Sequence, residues 1–157
     1  FNFSSLGLVV GILDDKDALG VLTALFDHFG DDVEHLAITK SNSPRAISPE
    51  ELTEIALDAG WDEDQIFTTE SVVDAIGWVV RGVREMEARI QEAGRTLVAG
   101  TGGAGVLVTG SITLVGQVRD LLGTETAGAD PSVEVEGHYD FSDFFSDETD
   151  QEEDDES

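Results

Sequence analysis

The apolar positions along this chain change period at regular intervals. Over residues 6–13 they run almost without a break, as expected of a strand covered on both faces. Over 17–29 they fall at Val21, Leu22, Leu25, Phe26 and Phe29, the spacing of one helical face, with Gly30 as the stop. Residues 33–39 predict a second strand. Ser48-Pro49-Glu50-Glu51 has the form of a capping box with proline at the first helical position. The helix it opens carries Leu52, Ile55, Ala56 and Ala59 on one face and stops at Gly60. A short third strand is predicted at 65–69. Ser71 then caps a long helix with Val72, Ile76, Val79, Val83, Met86 and Ile90 on one stripe, up to Gly94. Residues 105–109 predict another buried strand, and Ser111 caps a last helix through Leu114, Val115, Val118 and Leu122. Residues 96–99 are a candidate extra strand. Strand and helix alternate four times, which predicts an α/β fold: a doubly wound, mostly parallel sheet with helices on both faces.

Charge divides the chain at Gly123. Residues 1–122 hold 20 acidic and 8 basic side chains; residues 123–157 hold 14 acidic and no basic ones. The second part, closing on Gln151-Glu152-Glu153-Asp154-Asp155-Glu156, is expected to be a disordered acidic tail after one folded domain at 1–122. Tyr139, Phe141, Phe144 and Phe145 form an apolar island within it, either an acidic-aromatic docking motif or a set of rings resting loosely on the domain. A net charge of −26 argues against nucleic acid or an anionic membrane as partner. The absence of cysteine excludes disulfides and thiolate chemistry. No apolar run is long enough to span a bilayer, so a soluble, cytoplasmic setting is expected. The only methionine is Met86 and the chain opens on Phe1, which suggests a piece of something longer.

In an open parallel sheet, ligands bind beyond the carboxyl ends of the strands. Three segments fall there: Asp14-Asp15-Lys16-Asp17, Lys40-Ser41-Asn42-Ser43-Pro44-Arg45-Ala46, and Thr109-Gly110-Ser111. Both lysines of the chain and Arg45 lie on this edge, which suits capture of a carboxylate or phosphate, with helix N-termini adding donors. Equally, Lys16 and Arg45 could simply pair with neighbouring carboxylates. Other signals carry less. Gly100-Thr101-Gly102-Gly103-Ala104-Gly105 satisfies G-x-G-x-x-G, but Val106-Leu107-Val108 follows it as a strand, whereas a dinucleotide loop must open a helix. His28, His35 and His138 share no metal-ligand spacing. Asp14-Asp15 lacks the third-strand aspartate and late lysine of a phospho-receiver.

Gly11-Ile12-Leu13-Asp14-Asp15-Lys16-Asp17, Asn42-Ser43-Pro44-Arg45-Ala46, and Val106-Leu107-Val108-Thr109-Gly110-Ser111 with Val115-Gly116-Gln117-Val118-Arg119 together resemble the C-terminal domain of folylpolyglutamate synthase/dihydrofolate synthase, the folate branch of the Mur ligase superfamily. The resemblance covers roughly residues 6–122. It implies a Rossmann-like domain of the Mur ligase C-terminal type, here without its opening strand and helix. It also implies an ATP-dependent amide ligase, in which ATP activates the carboxylate of a folate or of dihydropteroate and the amine of L-glutamate attacks the acyl phosphate. The P-loop, the Mg²⁺ ligands and a carbamylated lysine would lie in an N-terminal part that this chain lacks, leaving it inactive alone. Carried over position by position, Lys16 and Asp17, Ser43 and Arg45, and Thr109 and Ser111 become substrate-binding candidates. Lys16 would meet the carboxylate of the incoming amino acid, with Ser111 near the same subsite. The stretch 82–104 is longer than usual for the family, and the acidic tail has no counterpart in it. The competing reading is a freestanding, non-catalytic acidic α/β interaction module; a small nucleotide-binding domain is a weaker one without a phosphate loop.

Overall fold

The computed structural model describes residues 4–93 and 103–123. Strands β1 (Ser5–Val10), β2 (Val33–Ile38), β3 (Ile66–Thr68) and β4 (Ala104–Thr109) alternate with helices α1 (Ala18–Phe29), α2 (Pro49–Asp58), α3 (Val72–Glu92) and α4 (Ile112–Leu121). Every pairing is parallel, and the order across the sheet is β3-β2-β1-β4. The chain therefore steps outward from β1 to β3, then returns to the far side of β1. That reversal makes β1 and β4 the topological switch point, where an open α/β sheet forms its crevice.

Each helix begins at a side-chain cap. Asp17 accepts from the Gly20 amide at 3.0 Å, Ser48 from Glu51 at 3.2 Å, Ser71 from Asp74 at 3.2 Å and Ser111 from Thr113 at 3.2 Å. Pro49 occupies the first turn of α2, where its missing N–H costs nothing.

Strand alternation sends neighbouring side chains to opposite faces and creates two cores. Leu6, Leu8 and Val10 of β1, with Leu36 and Ile38 of β2, pack under Ala18 and Leu22 of α1 and Leu52 and Ala56 of α2. Trp61 closes this layer, donating its indole N–H to the Leu22 carbonyl at 3.2 Å and meeting Phe26 edge-on. On the other face Val9 and Ala37 pack against Val72, Ala75, Ile76, Val79 and Val83 of α3 and Leu114 and Val118 of α4. Gly7 lets α3 approach β1, since a Cβ there would fall on Val79 and Val83.

Two expectations change. The first strand ends at Val10 rather than running to residue 13, because Leu13 leaves the sheet to bridge Ala46. The strand at 105–109 is not buried: β4 is outermost among the described strands, with Val106 and Leu107 38% and 37% exposed. One lateral neighbour cannot cover it as β1 is covered. The candidate strand at 96–99 and the acidic tail beyond Gly123 lie outside the described residues. Among the described residues no helix is long and apolar enough to cross a membrane.

Candidate functional site

The carboxyl ends of β1, β2 and β4 are joined into one rim by backbone hydrogen bonds. Gly11 donates to the Thr109 carbonyl at 3.3 Å, and Thr39 donates to the Val10 carbonyl at 3.0 Å. The loop after β1 is tied to the loop after β2 by Asp14 N–H to the Arg45 carbonyl at 2.8 Å, Ile47 N–H to the Ile12 carbonyl at 2.9 Å, and the Leu13–Ala46 bridge. Gly110 turns the chain from β4 toward α4 at φ +105, a left-handed conformation that favours glycine, and a Cβ there would lie 2.6 Å from the Gly11 carbonyl oxygen. The three segments predicted at the strand ends are thus brought together. The helices α1 and α4 open from the same rim with their positive dipole ends.

Most of the candidate side chains already have work in the fold. Asp17 and Ser111 are the N-caps of α1 and α4, and Ser111 is buried. The Ser43 hydroxyl accepts from the Arg45 amide at 3.3 Å, bracing its own turn. Thr109 ends β4, its carbonyl taken by Gly11. The Arg45 guanidinium pairs with Asp15 at 3.1 Å, and Lys40, which the sequence marked only as a cation on this edge, pairs with Glu70 at 2.7 Å. Both pairs are exposed, so each is worth at most about 1 kcal/mol and can exchange partners. Lys16 differs. It is exposed at the mouth of the switch point and makes no ion pair among the described residues. Of the two readings left open by the sequence, pairing with a neighbour describes Arg45, and an open cation describes Lys16.

Two further polar groups sit at this rim. Thr39 is fully buried at the end of β2 with its hydroxyl unpaired among the described residues. Gln117 of α4 accepts from the Asn42 amide at 3.1 Å. Neither stood out as a site residue in the sequence, since a strand-end threonine and a mid-helix glutamine are common. The G-x-G-x-x-G stretch leads into β4, not into a helix, so it does not build a dinucleotide loop. Among the described residues no cluster of three or more His, Asp or Glu side chains could hold a metal ion. His28 bonds through Nδ1 to the Ala24 carbonyl of its own helix at 3.0 Å. His35 lies far from the rim, against Trp78 of α3. Burial lowers its pKa, the Glu34 and Glu85 carboxylates oppose that, and Arg89 lowers it further. An apolar groove of about 330 Å³ runs along β4 between α3 and α4, lined by Val80, Val83, Val106, Val108 and Leu122, and it carries none of the candidate residues.

No protein-family model matches this chain. Among curated proteins, the dihydrofolate synthase/folylpolyglutamate synthase of Mycobacterium tuberculosis is 33% identical over 127 residues, covering 80% of this chain and 24% of that protein. A crystal structure of M. tuberculosis folylpolyglutamate synthase complexed with ADP and AMPPCP matches with a TM-score of 0.59 at 29% identity, covering 80% of this chain and 25% of the other. A second structure of that enzyme, complexed with ADP, gives a TM-score of 0.62 at 31% identity with the same coverage. The chain spans about a quarter of the length of these relatives, and the matched stretch is their C-terminal part. By sequence and by fold, this chain is a relative of the C-terminal part of the folylpolyglutamate synthase/dihydrofolate synthase family.

Proposed function

We propose that this chain is the C-terminal domain of an ATP-dependent folate–glutamate amide ligase, that it closes over the active site, and that it helps to hold ATP and the incoming L-glutamate. The observation that carries this reading is Lys16, the open cation at the switch point of a domain related to the end of a folylpolyglutamate synthase. A ligase of this class forms an acyl phosphate on a folate or dihydropteroate carboxylate and must keep water from it until the glutamate amine attacks. A domain that presents one ammonium unpaired among the described residues, and two helix N-termini, from a shared rim suits the fixing of glutamate's own carboxylate, and its movement onto the rest of the enzyme would gate turnover. Arg45 and Ser43 act as braces of the neighbouring loop, and Asp17 and Ser111 set the helix ends that face the substrate. The described residues offer neither a phosphate loop nor an acidic metal cluster, so the polyphosphate and Mg²⁺ are assigned to the remainder of a longer, cytoplasmic polypeptide. On this reading the isolated chain is inactive.

Sequencing the coding frame upstream of Phe1 is the first test: a P-loop sequence is expected there, and a nearby start codon without one would sink the ligase reading. In the resulting ligase, Lys16→Ala is expected to raise KM for L-glutamate by about ten- to a hundredfold, the worth of one charge-assisted hydrogen bond, with KM for ATP little changed. Equal effects on both substrates would remove Lys16 from the amino-acid subsite.

A further inference from the structure

The loop at 40–46 carries Ser43 and Arg45, yet it contains neither helix nor strand to fix its path. Its own hydrogen bonds are local: Ser43 N–H to the Ser41 hydroxyl at 3.4 Å, Arg45 N–H to the Ser43 hydroxyl at 3.3 Å, and Ala46 N–H to the Ser43 carbonyl at 3.1 Å. Bonds of that kind shape a turn without saying where it sits. Placement comes from ties to other elements. At the carboxyl end of the loop those ties are the Asp14–Arg45 bond, the Ile47–Ile12 bond and the Leu13–Ala46 bridge. At the amino end Thr39 N–H bonds to the Val10 carbonyl at 3.0 Å and the exposed Lys40 pairs with Glu70 at 2.7 Å; nearer Ser43, the Asn42 amide donates to the Gln117 side-chain carbonyl at 3.1 Å, across a sequence separation of 75 residues.

The strand end and the Lys40 pair fix where the loop leaves the sheet, and the Asn42–Gln117 bond fixes the turn beyond them. We infer that Gln117 is a positioning residue: its side-chain carbonyl clamps the 40–46 loop to α4, so that the loop carrying Ser43 and Arg45 and the helix capped by Ser111 present a single fixed wall to the amino-acid subsite beside Lys16. The clamp itself is geometric, and its role at the subsite rests on the ligase reading. The chemistry suits the task. A backbone N–H on an exposed loop would otherwise bond to water, and an ordinary protein hydrogen bond in its place is worth about 1 kcal/mol, enough to hold a local conformation without contributing much to global stability. Gln117 stands in the middle of α4, and the helix is itself seated by the buried Leu114 and Val118, so the clamp has a rigid base. Because Gln117 need not touch the substrate, its effect should appear as altered binding of one substrate rather than as altered chemistry.

Amide hydrogen exchange on the 157-residue chain tests the clamp. Gln117→Met, which removes the acceptor but keeps the length, is expected to speed exchange at Asn42 by about tenfold while Ile47 keeps its protection. Gln117→Glu retains an acceptor and should restore protection. In the full-length ligase, Gln117→Met should raise KM for L-glutamate by about five- to tenfold, with kcat and KM for ATP within about twofold. Unchanged exchange at Asn42 would overturn the clamp. Faster exchange with an unchanged KM for glutamate would overturn its role at the subsite and leave the proposed function standing. A full-length protein with no ligase activity would overturn the proposed function and the subsite role together, while the exchange data still decide the clamp.

Discussion

Strands β1 and β4 lie side by side in register, Leu8 opposite Leu107 and Val9 opposite Val108. Their sequences, Ser-Leu-Gly-Leu-Val-Val and Ala-Gly-Val-Leu-Val-Thr, are close in apolar content. Every residue of β1 is nevertheless buried, while no residue of β4 is. The difference is one of place. β1 has a strand on each side and helices above and below, whereas among the described residues β4 has β1 alone as its lateral neighbour in the sheet. Apolar composition measures how much a segment can gain from burial; topology decides whether the gain is realised.

The largest expected effect breaks the symmetry of one registered pair. Leu8→Ala should cost about 3–4 kcal/mol, as for a fully buried leucine, and Leu107→Ala about 1 kcal/mol or less, measured by urea denaturation of the two variants. Equal losses would mean that β4 is as enclosed as β1. A smaller contrast concerns backbone approach. Gly7→Ala should cost about 1–3 kcal/mol because Val79 and Val83 must move, while Gly103→Ala, which faces open space, should stay within about 0.5 kcal/mol in the same assay. The smallest effect lies beside β1 on β2, where His35 stands opposite Gly7. Its folded pKa is lowered by burial, so the unfolded chain takes up a proton that the folded chain refuses. That contribution to stability is complete above the ordinary value of about 6.5 and is lost as pH falls from there toward the lowered value. Melting temperatures between neutral and mildly acidic pH should therefore fall less steeply for His35→Gln than for the parent chain.

The order of elements was legible because each rests on local signals. Ser48, Ser71 and Ser111 cap the helices that their positions announced, and Val72, Ile76, Val79 and Val83 form the buried stripe that their spacing predicts. The exposure of Val106 and Leu107 was not legible, since a strand's sequence does not state its rank in the sheet. The strand-end rim could be read as a set of segments, because parallel topology sends those loops to one edge. Which cation stays open could not. Arg45 meets Asp15 thirty positions away, and Lys40 meets Glu70 across the same separation, so only the folded path tells them from Lys16. The bond from Gln117 to Asn42 was hidden for the same reason, as no spacing rule links a helix to a loop so distant in the chain.

The two tryptophans fall on opposite sides of the sheet. Trp61 is sealed in the α1–α2 layer against Phe26, and Trp78 stacks on Phe67 and meets His35 in the α3 layer. Each hydrophobic layer therefore carries its own fluorophore, one with its indole N–H tied to a helix carbonyl and the other beside a titratable ring. The molecule is optically two-sided: with either tryptophan replaced by phenylalanine, the remaining indole reports on its own half of the core and tells loosening of that layer from loss of the whole fold without any added label.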